Sequence, residues 1–133
     1  MITGINHVGI CVNSIDTVLD VWKQEMGAEE IGRAAYPALG QISAMIQIGD
    51  SYVELMEPMG EDGVVASFLK KHGEGLHHIS LHSDDLSGDK RRFESTGTRI
   101  LGKGEDPVIF THPKTSFGVV FEITEGRNEK IDL

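Results

Sequence analysis

One short sequence pattern occurs twice in this chain, about seventy residues apart. Residues 5–11 (Ile-Asn-His-Val-Gly-Ile-Cys) and 76–82 (Leu-His-His-Ile-Ser-Leu-His) share one pattern, which places His78 where the first copy has His7. Side chains alternate between the two faces of a strand, so each copy has an aliphatic face and a face with histidine and small or polar side chains. This predicts strands that pack one face on a core and line a cleft with the other. The alternative is a partly exposed sheet face with an ordinary histidine.

Two further features repeat at nearly the same spacing. Gly27 and Gly97 each follow a predicted helix, and residues 53–55 (Val-Glu-Leu) match 121–123 (Phe-Glu-Ile). Chance rarely gives nearly constant offsets at three places, so the pattern indicates two structural repeats. A chain of 133 residues has the length of a single domain. We therefore predict one domain over 1–133 with two internal modules, and two small half-domains are the alternative.

Each repeat is expected to fold as β-α-β-β-β. Apolar and polar residues alternate in the predicted strands, and apolar residues three and four apart between a Ser14 cap and Gly27 predict the first helix. The predicted fold class is α+β, with two tandem βαβββ modules, at about 1–60 and 75–125, that form an open cleft. A short helix over 64–71 links them. The predicted strands are 5–11, 30–35, 41–48, 52–57, 76–82, 98–101, 108–112 and 118–124, and the second module's helix is 87–95.

The composition excludes several classes of protein. The formal net charge of −9 argues against a general nucleic-acid-binding protein, because phosphate backbones require a basic surface. No apolar run approaches the roughly 18 residues of a membrane span, and the N-terminus shows no secretory signal pattern. Cys11 is the single cysteine, which excludes an internal disulfide and favours a reducing compartment. We expect a cytoplasmic protein with a small-molecule substrate and neither a nucleic-acid nor a membrane partner.

Each module also supplies one glutamate on the face that carries histidine. Glu54 and Glu122 occupy the same place in the last strand of each module, between two apolar residues. If a pseudo-twofold axis relates the modules, these side chains converge into one metal-binding site: His7, Glu54, His78 and Glu122. Two imidazoles and two carboxylates suit a divalent ion such as Zn²⁺, Co²⁺, Ni²⁺ or Mn²⁺ and balance its charge. The alternative is that both glutamates are solvated strand residues.

Three other polar residues are candidate substrate contacts. Lys114 and Ser116, in a predicted turn, can hold a carboxylate or phosphate at the rim of the cleft, although a solvated turn has the same composition. Gln47 lies on the mixed face of predicted strand 41–48. Three further histidines lie near the predicted cleft: His77, His82 and His112. Ordinary surface or strand-end positions explain them, and the alternative is that they contact the substrate or the ligand side chains.

With these residues the chain resembles the vicinal oxygen chelate superfamily, also called the glyoxalase/bleomycin-resistance/dioxygenase group, from end to end. Within that group it is most similar to the methylmalonyl-CoA epimerases. The two most specific matching segments are 75–79 (Gly-Leu-His-His-Ile) and 107–114 (Pro-Val-Ile-Phe-Thr-His-Pro-Lys). Segments 6–10, 53–62 and 68–71 also match.

The resemblance implies paired βαβββ modules around a divalent metal, with the four residues above in the ligand positions. It also implies a homodimer and an acyl-CoA thioester substrate, whose carbonyl the metal polarises while Glu122 transfers the neighbouring proton. Some epimerases carry Gln where Glu54 stands. Two alternatives remain: a lactoylglutathione lyase similar to glyoxalase I, and a small-molecule binding or resistance protein without a metal.

The chain departs from the epimerase pattern at one position. The epimerases carry a Pro-Glu-x-Gly segment before the third strand, whose glutamate acts as a base, whereas this chain has Pro-Ala-Leu-Gly with Ala38 at that place. Epimerisation needs a second group to return a proton on the opposite face. Glu29, Glu30 and Tyr36 are the neighbouring residues that can replace the missing base, and different chemistry on the same metal is the alternative.

Overall fold

The computed structural model describes residues 1–101 and 108–125. Residue 107 of the family-like segment 107–114 and part of the second predicted module therefore lie outside the described residues. The three α-helices in the described part are α1 (Ile15–Met26), α2 (Val64–His72) and α3 (Leu86–Ser95). The eight strands there are β1 (Ile2–Cys11), β2 (Glu29–Tyr36), β3 (Gln41–Ile48), β4 (Ser51–Pro58), β5 (Gly75–Ser83), β6 (Ile100–Leu101), β7 (Val108–Thr111) and β8 (Phe121–Glu125).

The order of these elements is β-α-β-β-β twice, with α2 between the two series. This confirms the α+β class and the tandem βαβββ arrangement predicted from the sequence. The residues form two compact units: unit A comprises residues 8–77, and unit B comprises residues 1–7, 78–101 and 108–125. Strand β1 thus contributes residues to both units. The module boundaries given above stay a prediction.

Unit A contains a sheet in the order β2-β3-β4-β1. Strands β2, β3 and β4 are joined by short turns and pair antiparallel. The residues of β1 in this unit pair parallel with β4, with Gly9 opposite Glu54. A parallel pair needs a long crossover connection, and α1 is the helix in that connection.

Helix α1 begins and ends where the sequence predicts. The Ser14 side chain accepts a hydrogen bond from the amide of Thr17 at 3.2 Å, and Gly27 ends the helix with a φ of 69°. Ile15 and Leu19 are the buried residues of the helix. The core that they share with the sheet comprises Val12, Ile15, Leu19, Ala28, Ala44, Ile46 and Leu55.

Unit B contains a sheet in the order β1-β5-β8-β7-β6. Strands β5 and β8 pair parallel, with Ser80 opposite Glu122, and β7 pairs antiparallel with β8 and with β6. Ile109 and Ile123 are almost fully buried in this unit. The parallel pair again requires a crossover, and α3 lies within it.

Strand β8 begins three residues later than the sequence predicts. The preceding residues, Phe117 and Gly118, have φ angles of 54° and 85°. The amide of Gly118 donates a hydrogen bond to the carbonyl of Pro113 at 2.8 Å. Two successive residues with left-handed backbone angles form a turn, so the strand begins only after them.

No helix in the described residues is long and apolar enough to cross a lipid bilayer. The longest of them, α1, has 12 residues.

Candidate metal centre

Three of the four predicted ligands lie together in unit B. The Nε2 atoms of His7 and His78 are 3.3 Å apart. Carboxylate oxygens of Glu122 lie 4.0 Å from Nε2 of His7 and 3.8 Å from Nε2 of His78. All three side chains are buried, with 1 to 5% of their surface exposed. The structure therefore brings together three residues that are far apart in the sequence.

Strand alternation and register place Glu122 beside His78. Ser80 is opposite Glu122 in the parallel pair of β5 and β8, and His78 lies two residues before Ser80, so both project to the same face of β5. The hydroxyl of Ser80, which is fully buried, donates a hydrogen bond to Oε1 of Glu122 at 3.1 Å. This hydrogen bond restricts the orientation of the carboxylate.

Asn6 orients the imidazole of His7 within unit B. Its Oδ1 lies 3.2 Å from Nδ1 of His7, and the Asn6 side chain is buried. An amide oxygen only accepts hydrogen bonds, so the proton of the neutral ring lies on Nδ1. The lone pair of Nε2 then points toward His78 and Glu122. Metal-bound histidines are commonly oriented by such a second hydrogen bond.

The donor set of these three residues fits a divalent metal ion. Electron-rich nitrogen and oxygen atoms this close to one another repel unless a proton or cation lies between them. Two nitrogen ligands at about 2.0–2.1 Å from a zinc ion are separated by about 3 Å, close to the separation of the two Nε2 atoms in unit B. Two imidazoles with a carboxylate are also ligands that several first-row divalent ions accept.

Glu54, the fourth predicted ligand, belongs to unit A. It is only 3% exposed, and it lies on the wall of a shallow, open-sided recess. Small side chains create much of this space, because Gly32, Ala34 and Ser43 line the same recess. The other lining residues are Tyr36, Ala44 and Met45.

The face of β3 next to this recess is more buried than its sequence suggests. Alternation predicts one apolar and one mixed face, yet every residue from Ser43 to Ile46 is buried. Ser43 and Met45 are covered because they lie between β2 and β4, opposite Ala34 and Glu54. The mixed face of β3 thus forms the floor of the recess.

The one cysteine lies near Glu54 but does not have the properties of a ligand or nucleophile. Burial, together with the negative charge of Glu54, raises the pKa of the Cys11 thiol to about 12. Cys11 has no exposed surface. Reactive cysteines need an accessible thiolate, so Cys11 is a core residue, packed with Met56 and Val65.

The three predicted substrate contacts belong to different elements of the chain. Gln47 is half-buried in unit A, where its amide donates to the carbonyl of Gly49 at 3.2 Å. Lys114 is exposed in a short turn over 113–115 of unit B, and Ser116 is buried at the end of that turn. Their role in binding a substrate stays a prediction.

The remaining predicted histidines have ordinary structural surroundings. In unit A the His77 ring packs edge-on against Phe68, with centroids 5.2 Å apart. In unit B Nδ1 of His112 accepts a hydrogen bond from the amide of Lys114 at 3.1 Å. His82 is half-buried in β5.

Sequence reasoning missed two residues that support the ligands. Ser80 was recognised only as a small polar residue on the cleft face, and Asn6 only as part of the repeated segment. The position of Ser80, two residues after His78 and on the same strand face, was the available signal for it. For Asn6 the signal was weaker, because neighbouring residues of a strand ordinarily point to opposite faces.

The turn that contains Ala38 is held tightly to the segment before α2. Residues Pro37–Leu39 form a short 3-10 helix, and the amide of Met59 donates to the carbonyl of Gly40 at 2.8 Å. A Cβ added to Gly40 would lie 2.5 Å from the carbonyl oxygen of Asp62, and one added to Gly63 would overlap the carbonyl oxygen of Leu39. Ala38 itself is exposed.

Comparison with known proteins relates the chain to one family. Residues 6–114 match the model of the glyoxalase/bleomycin resistance protein/dioxygenase superfamily. The chain is 32% identical to an ethylmalonyl-CoA/methylmalonyl-CoA epimerase of Cereibacter sphaeroides, over 94% of this chain and 99% of the relative. It is 30% identical to the human mitochondrial methylmalonyl-CoA epimerase, over 91% of this chain and 73% of the relative.

Solved structures give the same result. The methylmalonyl-CoA epimerase of Mycobacterium tuberculosis superimposes with a TM-score of 0.83 at 27% identity, covering 99% of this chain and 93% of the other. A variant of the Streptomyces coelicolor enzyme in complex with 2-nitronate-propionyl-CoA superimposes with a TM-score of 0.85 at 30% identity, covering 96% of this chain and all of the other. A further methylmalonyl-CoA epimerase, solved with methylmalonyl-CoA and NH₄⁺, superimposes with a TM-score of 0.84 at 30% identity, covering 95% of this chain and 96% of the other.

Proposed function

This chain belongs to the glyoxalase/bleomycin resistance protein/dioxygenase superfamily, and on that basis we propose that it is a metal-dependent epimerase of methylmalonyl-CoA or a closely related acyl-CoA thioester. The observation that carries the proposal is the buried cluster of His7, His78 and Glu122 in a chain whose named relatives are epimerases. The cluster combines donors for a divalent ion with a carboxylate that can accept a proton. A base and a group that stabilises the enolate together serve proton transfer next to a carbonyl.

We propose Glu54 as the fourth ligand. It is opposite Gly9 in the pairing of β1 with β4, and Gly9 lies two residues after His7 in β1. Side chains two residues apart share one face of a strand, which supports a common face for Glu54 and His7. The burial of Glu54 also supports this role, because a buried carboxylate needs a cation or hydrogen-bond donors.

Glu122 is the residue that removes the proton in this proposal. A divalent ion held by the four residues would supply Lewis-acid polarisation of the thioester carbonyl, which acidifies the neighbouring carbon. Ser80 donates to Oε1 of Glu122 and so keeps the carboxylate in one orientation while a proton moves to its other oxygen. The burial of the cluster excludes bulk water, which would otherwise compete for that proton.

The second proton-transfer group is not the family's loop glutamate, because Ala38 takes that position in the resemblance. The turn is nevertheless held in place by its contacts with residues 59–63. A glutamate introduced by Ala38→Glu would therefore sit on a fixed backbone. We expect this substitution to raise the rate of epimerisation and to leave metal binding unchanged.

The two alternatives have less support. The named relatives of the chain are epimerases, which favours neither a lactoylglutathione lyase nor a binding protein. A binding protein without a metal also has no need for the cluster around His7. We further propose a homodimer in the cytoplasm, to be tested by light scattering of the purified protein and by cell fractionation.

One experiment tests the proposed reaction directly. The purified protein is analysed for bound metal, stripped with a chelator and reloaded with Co²⁺, and each form is assayed with a single epimer of methylmalonyl-CoA. Inversion that disappears on chelation and returns on reloading supports the proposal. Inversion that survives complete metal removal, or turnover of methylglyoxal with glutathione in place of the thioester, contradicts it.

A further inference from the structure

We propose that the turn over 113–118 in unit B binds the nucleotide end of coenzyme A, with the ring of Phe117 stacked on the adenine and Lys114 at a phosphate. The inference rests on the proposed function, because it names the part of an acyl-CoA substrate that this turn holds. Every residue in the proposed contact belongs to unit B.

Phe117 has an exposed ring on an unfavourable backbone. All five phenylalanines of the chain are among the described residues, and Phe117 alone is exposed, with its side chain fully accessible to solvent. Its φ of 54° lies in the left-handed region, where a bulky side chain is rare. Among the described residues, seven glycines adopt a positive φ, and Phe117 is the one other residue that does. The fold therefore gains no packing from this ring and loses stability at its backbone.

Hydrogen bonds hold the turn in this strained form. The amides of Ser116 and Gly118 both donate to the carbonyl of Pro113, at 3.2 and 2.8 Å. The amide of Val119 donates to the carbonyl of Ser116 at 3.0 Å, and Ser116 is buried. Strained residues that the surrounding structure keeps in place cluster at ligand-binding and active sites. A ring held on a fixed turn also loses little conformational entropy when a ligand binds against it.

The surroundings of the turn are basic in an acidic chain. Residues 108–121 contain no Asp or Glu, whereas the whole chain has a formal net charge of −9. Lys114 is exposed within the turn, and Arg99 is exposed beside it. The Arg99 amide donates to Oγ1 of Thr115 at 2.9 Å, and the Arg99 carbonyl accepts a hydrogen bond from the amide of His112 at 2.8 Å. Local cations attract an anionic ligand even where the overall charge is negative.

An aromatic ring beside cations suits a phosphorylated nucleotide. Bases stack on exposed aromatic side chains, and lysine and arginine bind phosphate. Coenzyme A has both parts, since its adenosine carries a 3′-phosphate and a 5′-diphosphate. The acidic chain as a whole disfavours a nucleic acid as the source of the nucleotide. The proposed acyl-CoA substrate is therefore the ligand whose chemistry matches the turn.

The turn and the metal cluster lie in the same unit. Glu122 follows Phe117 by five positions, and a backbone of that length spans at most about 18 Å. In an acyl-CoA the flexible pantetheine arm and the diphosphate join the thioester to the adenosine, and together they are long enough to bridge this separation. One substrate can therefore place its thioester at the cluster and its nucleotide at the turn.

Calorimetry with free coenzyme A tests the turn without a catalytic step. Phe117→Gly removes the ring and suits the left-handed backbone, so it should raise the melting temperature by a few degrees. The same variant should bind coenzyme A about 5–50-fold more weakly, the usual loss when a base loses its stacking partner. Phe117→Trp should keep the affinity. Met26→Ala, at another exposed apolar residue, is the control and should leave coenzyme A binding unchanged.

Lys114→Ala tests the phosphate contact. It should weaken coenzyme A binding about 2–5-fold, the range for an exposed ion pair, and the affinity of the variant should depend less on salt concentration. Lys23→Ala removes the same charge from an exposed position on α1 and is the matched control. Equal salt dependence in the two lysine variants would contradict a phosphate contact at Lys114.

Steady-state kinetics locate the effect on the substrate. In the metal-loaded protein Phe117→Gly should raise KM for methylmalonyl-CoA and leave kcat unchanged, because the adenine is bound equally in the ground state and the transition state. With methylmalonyl-pantetheine, which has no nucleotide, the variant and the unmodified protein should have the same KM.

The outcomes separate this inference from the proposed function. If Phe117→Gly binds coenzyme A as tightly as the unmodified protein does, the inference is wrong, and a change from dimer to monomer in light scattering would then make the ring a contact between copies of the chain. If the variant loses methylmalonyl-CoA and methylmalonyl-pantetheine equally, the turn has a general structural role and the inference is also wrong. Coenzyme A binding that depends on Phe117, in a protein that does not invert methylmalonyl-CoA, would support the inference and contradict the proposed function. If the unmodified protein binds no coenzyme A, both fail.

Discussion

His7 and His78 are separated by 71 residues in the sequence, yet their Nε2 atoms lie 3.3 Å apart in unit B. Their rings meet edge to face, at an interplanar angle of 80°. In this arrangement the ring nitrogens approach each other without stacking of the rings. Glu122 completes the cluster from β8. Four expectations follow from the structure.

The first expectation concerns the metal. His7→Ala, His78→Ala and Glu122→Ala should each reduce the affinity for Co²⁺ or Zn²⁺ strongly, because each removes one of the donors that lie within 4.0 Å of one another. Isothermal titration after chelation measures the affinity and the stoichiometry. His112→Ala is the control, since His112 caps a turn. Equal metal binding in all of these proteins would contradict the assignment of the site.

The second expectation concerns the hydrogen bond from His7 to Asn6. Asn6→Ala should lower metal affinity about 10–100-fold, the usual effect of losing a residue that orients a ligand. Asn6→Asp keeps an oxygen that accepts the Nδ1 proton and should retain most of the affinity. Asn13→Ala, at an exposed position after β1, serves as the control. If Asn6→Ala and Asn6→Asp bind metal equally well, the proton on Nδ1 is not what positions the ring.

The third expectation is a pH-dependent stability that depends on Asp89. Burial by itself raises the pKa of this carboxyl, but the hydrogen bond from Ser83 and the charges of the N-terminus and Arg92 outweigh burial, so the pKa is lowered overall. A carboxyl with a lowered native pKa stabilises the fold above its unfolded pKa, and this stabilisation is lost as the pH falls through the native pKa.

Asp89→Asn should therefore reduce the free energy of unfolding at pH 7 by about 1.5–3 kcal/mol, the usual contribution of a charged hydrogen bond. The difference from the unmodified protein should shrink as the pH falls below about 4. Urea unfolding at several pH values measures it. Glu94→Gln, exposed on the same helix, should show no such trend. A difference that stays constant from pH 7 to pH 3 would refute the electrostatic explanation.

The fourth expectation separates steric overlap from backbone strain in the turn near Ala38. Gly40 and Gly49 have similar φ angles of 69° and 60°, but a Cβ at Gly40 would overlap the carbonyl of Asp62, whereas at Gly49 it meets no atom within 4 Å. Both alanine substitutions cost about 1 kcal/mol for the left-handed backbone. Gly40→Ala should cost measurably more in thermal unfolding. Equal losses of stability in the two variants would mean that residues 59–63 move to accommodate the added Cβ and do not hold the turn.

The sequence alone was sufficient to predict that His7, His78 and Glu122 lie close together. Side chains alternate between the two faces of a strand whatever the strand packs against. The repeated segments therefore placed His7 and His78 on the polar face of their strands, and the same alternation placed Glu122 on the polar face of its strand. The offsets between the repeats indicated the tandem βαβββ order, which the structure confirms. These features depend on local backbone geometry, which is why a pattern of single residues was enough to predict them.

Only the tertiary structure decided which neighbour of Ala38 faces the recess. Simple alternation along β2 would place Glu30 on the same side as Gly32, Ala34 and Tyr36. The bulge between Glu30 and Gly32 breaks that alternation, and the carboxylate of Glu30 instead binds Arg33. A bulge arises from the pairing of two strands and not from one strand's own sequence. The side chain that reaches the recess was therefore fixed by β3, through its register with β2.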